Sequence, residues 1–441
     1  MATTGLSRPT GHEERHASWL ELFYDLLFVA LFAQLAHALA DDLGVVTTLR
    51  ALALFVPAWW AWVANTFSTN VFGEGGTAHR LTMLAHMVCL LLMAGGMDAA
   101  LHGDIGLYAA GYAGSRAVRL GFMVLPYRRE HGSLPPLITY GDYLASALLW
   151  ALSIAVGTPG AYPLWALALG IEVAVRLREQ VTEPHADGRP RFDAAHLVER
   201  FGLFVILALG EGVVQIATAL AGTDRSVAVV ATAIVAFGIL AGLWWFYFDL
   251  ASESIAAAFA AHPDREFPLG RDVFVFGHFG LVGAIVALAA GFGPVIAAAA
   301  TGEAFTDGLA LVTDGLALFL LASAAVAVRS LGASPARVAA TLVPAVVALA
   351  LLGTFGDRLE PVVALAGVFL VIAAVAFGQW LSDLRPLADV ALLVALYTVA
   401  ADQPRRRLGF AAAVLGLGIL LAADQWSVGA AGPLIVFLGG L

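Results

Sequence analysis

The chain has 441 residues, of which 60% are hydrophobic and 13% are charged, with a formal net charge of −10 and a mean hydropathy of +0.86. Soluble domains carry about 25% charged residues, so this composition excludes an ordinary soluble protein and predicts an integral membrane protein. The 23 basic residues, all arginine, form no long basic patch, which argues against a nucleic-acid partner.

The first 18 residues are polar and lack the apolar core and small-residue cleavage site of a signal peptide. We therefore expect the first helix to remain in the protein and to act as its own insertion signal. The residues before it are predicted to form a cytoplasmic N-terminal tail, 1–18.

Apolar runs of about 20 residues, the length that an α-helix needs to cross the hydrocarbon core, recur along nearly the whole chain. They predict an all-α polytopic membrane protein with about 14 transmembrane helices. The predicted spans lie at 19–40, 49–71, 80–100, 105–125, 137–156, 162–178, 196–221, 227–250, 272–298, 308–329, 337–355, 360–379, 384–401 and 407–423.

Arginine placement gives the orientation, because cytoplasmic loops are enriched in arginine. A cytoplasmic N-terminus puts most of the loop arginines on the cytoplasmic side, although the run at 405–407 does not fit. We therefore predict a multi-pass protein of the bacterial cytoplasmic membrane.

Three landmarks of the first half recur in the same order in the second half. They predict two parallel six-helix repeats, 19–178 and 196–379, joined by a cytoplasmic linker at 179–195 and followed by a C-terminal hairpin of additional helices in 380–441. Chance resemblance between Ala- and Leu-rich segments is the alternative. The matching landmarks are "QLAHALA" at 34–40 with "QIATALA" at 215–221, the Trp pairs 59–60 and 244–245, and His86 with His278.

Two acids lie at the start of the first span. Glu21 completes a capping box with Ser18, whereas Asp25, one turn further on the same face, cannot cap the helix. Neighbouring buried acids need a cation between them or a proton on one of them. Arg116 and Arg119, on one face of the fourth predicted helix and at matching depth, are predicted to supply that cation. For Arg119 the alternative is snorkelling to the lipid headgroups.

The seventh predicted helix has the largest set of polar residues. His196, Arg200, Glu211 and Gln215 share one face, with Glu199 just outside it. Glu211 lies about 18 Å beyond Glu199 along the helix, hence near the bilayer midplane. It is the leading candidate for a functional group, and a buried structural Glu is the alternative.

The two matching histidines could suggest a metal site, but metal sites need several converging ligands and the sequence shows no such cluster. Hydrogen-bonded structural or proton-relay roles are therefore predicted for His86 and His278, with no metal and no cofactor. The single cysteine, Cys89, cannot form an internal disulfide. The remaining candidate polar residues are Gln34, His37 and Asp249.

Four separated segments carry a family resemblance: "WLELFYDLLFVALFAQLAH" (19–37), "HLVERFGLFVILALGEGV" (196–213), "LWWFYFD" (243–249) and "FGHFGLVGAIVALAAG" (276–291). With them the chain resembles, over about residues 15–380, the bacterial low temperature requirement A (LtrA) proteins. The resemblance implies a multi-spanning bacterial membrane protein and no particular activity or substrate. Gly212 stands where the resemblance leads us to expect a serine.

The main function hypothesis is a carrier or channel for a proton, ion or small polar solute, with Glu211 as the protonatable site. The alternatives are a structural or stress-adaptation protein whose polar network only specifies packing, and a membrane-embedded enzyme that modifies a lipid. Membrane lipid and a proton or small polar solute are the predicted partners. The oligomeric state stays open, a homodimer included.

Overall fold

The computed structural model describes residues 17–72, 76–134, 137–182, 193–262 and 266–378, and within these ranges the regular structure is helical, without β-strands. The chain divides into two units, Met1–Val375 and Ala376–Leu441. All contacts discussed below lie within the first unit. Residues 183–192 of the predicted linker, the C-terminal helices and most of the N-terminal tail lie outside the described residues, and helices cover 179–182 and 194–195 at the two ends of that linker.

In the described ranges, seven helices begin before the predicted linker and eight follow it. The first seven are α1 Trp19–Asp41, α2 Val45–Phe72, α3 Gly76–Gly95, α4 Met97–Leu101, α5 Gly106–His131, α6 Leu137–Val156 and α7 Ala161–Thr182. The others are α8 Ala194–Gly222, α9 Val227–Trp245, α10 Ser252–Ala261, α11 Glu266–Gly270, α12 His278–Thr301, α13 Thr306–Arg329, α14 Pro335–Phe355 and α15 Pro361–Gly378. π-Helical turns at Phe246–Ala251 and Arg271–Gly277 follow α9 and precede α12.

The helical membrane-protein class is confirmed, while the predicted count is not. Among the described residues, 9 helices are long and apolar enough to cross a membrane, and two shorter apolar helices cover Tyr140–Val156 and Ala161–Val175. Each of the predicted spans up to residue 379 overlaps a described helix. The last two predicted spans, 384–401 and 407–423, lie outside the described residues, so a total of about 14 stays a prediction.

The N-terminal ends of α1 and α8 lie side by side, and both are capped by side chains. Ser18 Oγ accepts from the Glu21 amide at 3.3 Å, and Glu21 Oε2 accepts from the Ser18 amide at 3.0 Å, which confirms the predicted capping box. Asp193 caps α8 by accepting from the His196 amide at 3.0 Å. These caps fix where the two helices begin, and hence where their first polar residues lie.

Helix α12 is the central helix of the described bundle. In its most apolar stretch 72% of the residues are buried, compared with 39% in α1 and in α8. It packs against α1, α8, α9 and α13. Small residues allow the close contact with α13, because a Cβ placed on Gly291 would lie 2.3 Å from the carbonyl oxygen of Gly308. The core on both sides of α12 positions α1 and α8 against each other.

Candidate functional site

Four ionisable side chains from α1 and α8, each at most 1% exposed, form a group that we call the charged cluster: Glu21, Asp25, His196 and Arg200. Arg200 binds Asp25 through both terminal nitrogens: Nη2 donates to Oδ1 at 2.9 Å, and Nη1 donates to Oδ2. Arg200 Nε lies 3.7 Å from Glu21 Oε1, close enough for an ion pair. The bidentate geometry makes Arg200 the cation that two neighbouring acids require.

Helix α2 completes the coordination of the two acids. Trp62 Nε1 donates to Asp25 Oδ1 at 2.8 Å, and Thr69 Oγ1 donates to Glu21 Oε1 at 3.0 Å. The guanidinium of Arg200 also lies 5.8 Å from the centre of the Trp62 ring, within cation–π range. The cluster is therefore held by three helices, of which the sequence analysis identified two.

The tautomer of His196 follows from its partners. Asn70 Nδ2 lies 3.1 Å from His196 Nδ1, and His196 Nε2 lies 3.4 Å from Glu21 Oε2. An amide nitrogen can only donate, so Nδ1 accepts and the ring proton lies on Nε2, directed at the carboxylate. Neutral His196 thus donates to Glu21, and Asn70 fixes the orientation of the ring.

The predicted pairing of Arg116 and Arg119 with the α1 acids is wrong. Arg116, fully buried, forms an ion pair with Glu172 of α7, with Nη1 3.3 Å from Oε2. Trp60 Nε1 donates to the same oxygen at 2.7 Å. The reason is geometric: because the N-terminal ends of α1 and α8 adjoin, Arg200 is the arginine that contacts the two α1 acids. The hydroxyls of Tyr112 and Ser146 donate to the other oxygen of Glu172.

The side chain of Arg119 is turned into the bundle. It does not adopt the predicted alternative, in which it would snorkel to the lipid headgroups. Its Nη2 donates to the carbonyl oxygen of Ala64, and its guanidinium lies 6.0 Å from the centre of the Tyr143 ring. Arg119 also lines a small pocket between α2, α3 and α5.

The two predicted histidines have different surroundings. His278 Nδ1 lies 2.9 Å from the Val273 carbonyl, and Nε2 lies 2.7 Å from the Tyr247 hydroxyl. A carbonyl only accepts, so Nδ1 carries a proton; in the neutral ring Nε2 then accepts from the Tyr247 hydroxyl, and both ring nitrogens are hydrogen-bonded. The buried ring of His86 stacks on Tyr24 at 5.6 Å, and neither of its nitrogens has a hydrogen-bond partner among the described residues. Within the described ranges, no three His, Cys, Asp or Glu residues could hold a metal ion.

Glu211 is buried near the middle of α8 and away from the charged cluster. Gln215 Nε2 donates to its Oε1 at 2.7 Å, while Oε2 has no hydrogen-bond partner in the described part of the chain. His37 is near enough to interact with Glu211 electrostatically. The His37 side chain is 77% exposed and lies 4.0 Å from Asp41 at the end of α1.

A layer of aromatic rings lies between the charged cluster and Glu211. Phe204, on α8 between Arg200 and Glu211, contacts Phe28 at 5.6 Å and Phe32 at 5.4 Å between ring centres. Glu211 lies about 16 Å from Arg200 along the helix axis. Glu211 therefore lies apart from the charged cluster, deeper along α8.

The remaining predicted residues lie at the edges of this arrangement. Gln34 joins α1 to the α3–α4 corner, since Nε2 donates to the Ala94 carbonyl at 2.7 Å and Oε1 accepts from the Asp98 amide at 3.2 Å. Glu199 is half-buried and accepts from the Ala17 amide at 3.3 Å. Asp249 is exposed on a π-helical turn, away from the charged cluster.

Sequence reasoning missed the residues of α2 that complete the cluster, chiefly Trp62, Thr69 and Asn70. A signal existed, because Asn65 with Thr69 and Thr66 with Asn70 form i, i+4 pairs of polar residues in the last two turns of α2. Glu172 gave a signal as well, as an acid in the middle of its apolar helix.

Comparison with known proteins identifies relatives of the chain. The model of the bacterial low temperature requirement A protein (LtrA) family matches residues 16–401. An uncharacterized protein of Rhizobium meliloti (strain 1021) is 27% identical over 291 residues, which cover 64% of this chain and 70% of the relative. No solved structure matches the chain.

Proposed function

This chain belongs to the bacterial low temperature requirement A (LtrA) family, and we propose that it is a membrane carrier for a proton, or for a small ion or polar solute coupled to a proton. The observation that carries the proposal is the state of Glu211, which is 1% exposed with one carboxylate oxygen unpartnered among the described residues. A carboxyl group in such surroundings is stable with its proton or with a bound cation, and costly without either. Loading and unloading of this acid would be the transport step.

Groups on both sides of the aromatic layer support a route through the bundle. On one side, exposed His37 lies within electrostatic reach of Glu211. On the other side is the charged cluster, where the Thr69 hydroxyl of α2 donates to Glu21. Because Phe204 and its aromatic neighbours fill the space between them, passage requires movement of α8 relative to α1, as in alternating access.

The proposed internal repeat supports this reading. In the first half α3 packs against α1 and α5, and α5 packs against α6. In the second half α12 packs against α8 and α13, and α13 packs against α14. The charged cluster then lies between α1 and α8, the corresponding first helices of the two repeats, and sites at repeat interfaces are typical of transporters.

The distribution of arginine supports the proposed location in the bacterial cytoplasmic membrane with a cytoplasmic N-terminus. In this orientation the charged cluster lies on the cytoplasmic side and His37 on the opposite side.

The test measures proton flux in proteoliposomes that hold a pH-sensitive dye, with wild-type protein, Glu211→Gln and Glu303→Gln. Glu303 is exposed after α12 and is the matched control. We expect flux with the wild type and Glu303→Gln, and the rate of protein-free liposomes with Glu211→Gln. Unchanged, pH-independent flux in Glu211→Gln would remove this acid from the mechanism.

A second candidate function, a packing role without transport, is favoured by the saturation of Asp25. Arg200 occupies both of its oxygens and Trp62 donates to one, so the carboxylate has little capacity for a ligand. This function predicts that wild-type flux equals that of empty liposomes and that substitutions in the charged cluster change only stability.

A further inference from the structure

A small pocket lies between α2, α3 and α5, beside the charged cluster. Its volume of about 20 Å³ is enough for one water molecule or one ion of similar size. We call it the polar pocket, and its lining residues are Asn65, Ser68, Thr69, His79, Thr82, Met83, Arg119 and Phe122.

Two buried hydrogen-bond donors at the polar pocket have no partner among the residues that the structure describes. The Asn65 side chain is 4% exposed, and its Nδ2 makes no hydrogen bond with the described residues. Nε of Arg119 likewise makes no hydrogen bond with the described residues, while Nη2 of the same side chain donates to the Ala64 carbonyl. Both atoms can only donate, and leaving buried donors unpaired is costly, so an acceptor is needed in the pocket.

The charge around the pocket selects the type of acceptor. No carboxylate lines it, and in the described part of the chain Arg119 has no carboxylate partner, since Glu172 pairs with Arg116. Glu21 is reached only through the Thr69 hydroxyl, and its carboxylate already pairs with Arg200 and accepts a hydrogen bond from His196. A water molecule would satisfy the donors but leave the guanidinium charge unbalanced at membrane depth.

We propose that the polar pocket is a binding site for a small monovalent anion of the halide class, with Arg119 and Asn65 as its principal donors. The hydroxyls of Ser68 and Thr82 are further groups on the pocket wall. Glu211 does not line the pocket, so this site is separate from the proposed transport step and stands whether or not the chain is a carrier.

The experiment follows thermal unfolding of the purified full chain in detergent, titrated with sodium chloride, choline chloride or sodium gluconate. The variants are Asn65→Ala and Arg119→Gln, with Arg80→Gln as the control because Arg80 is exposed on the same α3 helix. We expect both chloride salts, but not gluconate, to raise the Tm of the wild type and Arg80→Gln in a saturable way. Since a hydrogen bond to a charged group contributes about tenfold in affinity, Asn65→Ala should need about tenfold more chloride.

Three results would overturn the proposal. An equal response to chloride and gluconate would mean that the pocket holds water only. A rise with sodium gluconate and none with choline chloride would indicate a cation site. An unchanged chloride titration in Asn65→Ala would place the effect elsewhere, and this variant gives the answer even where Arg119→Gln does not fold.

Discussion

Replacing Asp25 or Arg200 tests the ion pair that joins α1 to α8, because the two residues form a bidentate pair that is fully withdrawn from the surface. Asp25→Asn keeps an acceptor for Trp62 but leaves the guanidinium with only Glu21, whose Oε1 lies 3.7 Å from Nε. Removing one partner of a buried ion pair costs about 3–5 kcal/mol, and Arg200→Met should cost a similar amount.

The double variant Asp25→Asn with Arg200→Met removes both charges. We expect it to cost less than the sum of the single variants, with a coupling energy of about 2–3 kcal/mol, near the upper limit for contacting residues. The free energy of unfolding would be measured by titrating dodecylmaltoside micelles with sodium dodecyl sulfate and following circular dichroism.

Asp307→Asn serves as the control, since Asp307 is exposed in the first turn of α13 and its loss should cost at most about 1 kcal/mol. Strict additivity of the two single variants would refute the pairing of Asp25 with Arg200. A cost no larger than that of Asp307→Asn would show that the site is not buried.

Two further predictions concern the bundle around α12. Tyr247→Phe removes the donor to His278 Nε2 and leaves a buried nitrogen unpaired, so the free energy of unfolding should fall by about 1–3 kcal/mol in the same micelle titration; no change would argue against this hydrogen bond. Gly291→Ala places a methyl group 2.3 Å from the Gly308 carbonyl and should destabilise by about 1–3 kcal/mol, whereas Gly210→Ala, with nothing within 4 Å, should stabilise by about 0.5–1 kcal/mol. Equal effects of the two alanines would contradict the close contact of α12 and α13.

The aromatic layer explains why the charged cluster and Glu211 can have separate roles on one helix. Phe204 lies between them on α8 and stacks on Trp62 at 3.9 Å between ring centres. Tightly packed rings leave no room for water. The charged cluster and Glu211 can therefore carry different charges without exchanging protons directly. Glu211 is the better candidate for proton binding, and the charged cluster is the better candidate for holding the two helices together.

The sequence by itself determined the class of protein, the positions of the helices and one helix cap. A membrane helix satisfies its backbone hydrogen bonds internally, so apolar length alone locates it. This is why each predicted span up to residue 379 overlaps a described helix. The capping box of Ser18 and Glu21 was also predictable, because both partners lie within one turn of the chain.

Only the tertiary structure decided which charges meet. Matching depth made Arg116 the predicted partner of Asp25, but depth along a helix says nothing about how neighbouring helices are rotated or which of them touch. Because the N-terminal ends of α1 and α8 touch, Arg200 forms the ion pair with Asp25. Arg116 forms its ion pair with Glu172 of α7. Pairing across 175 residues of chain depends on packing, which local sequence patterns do not encode.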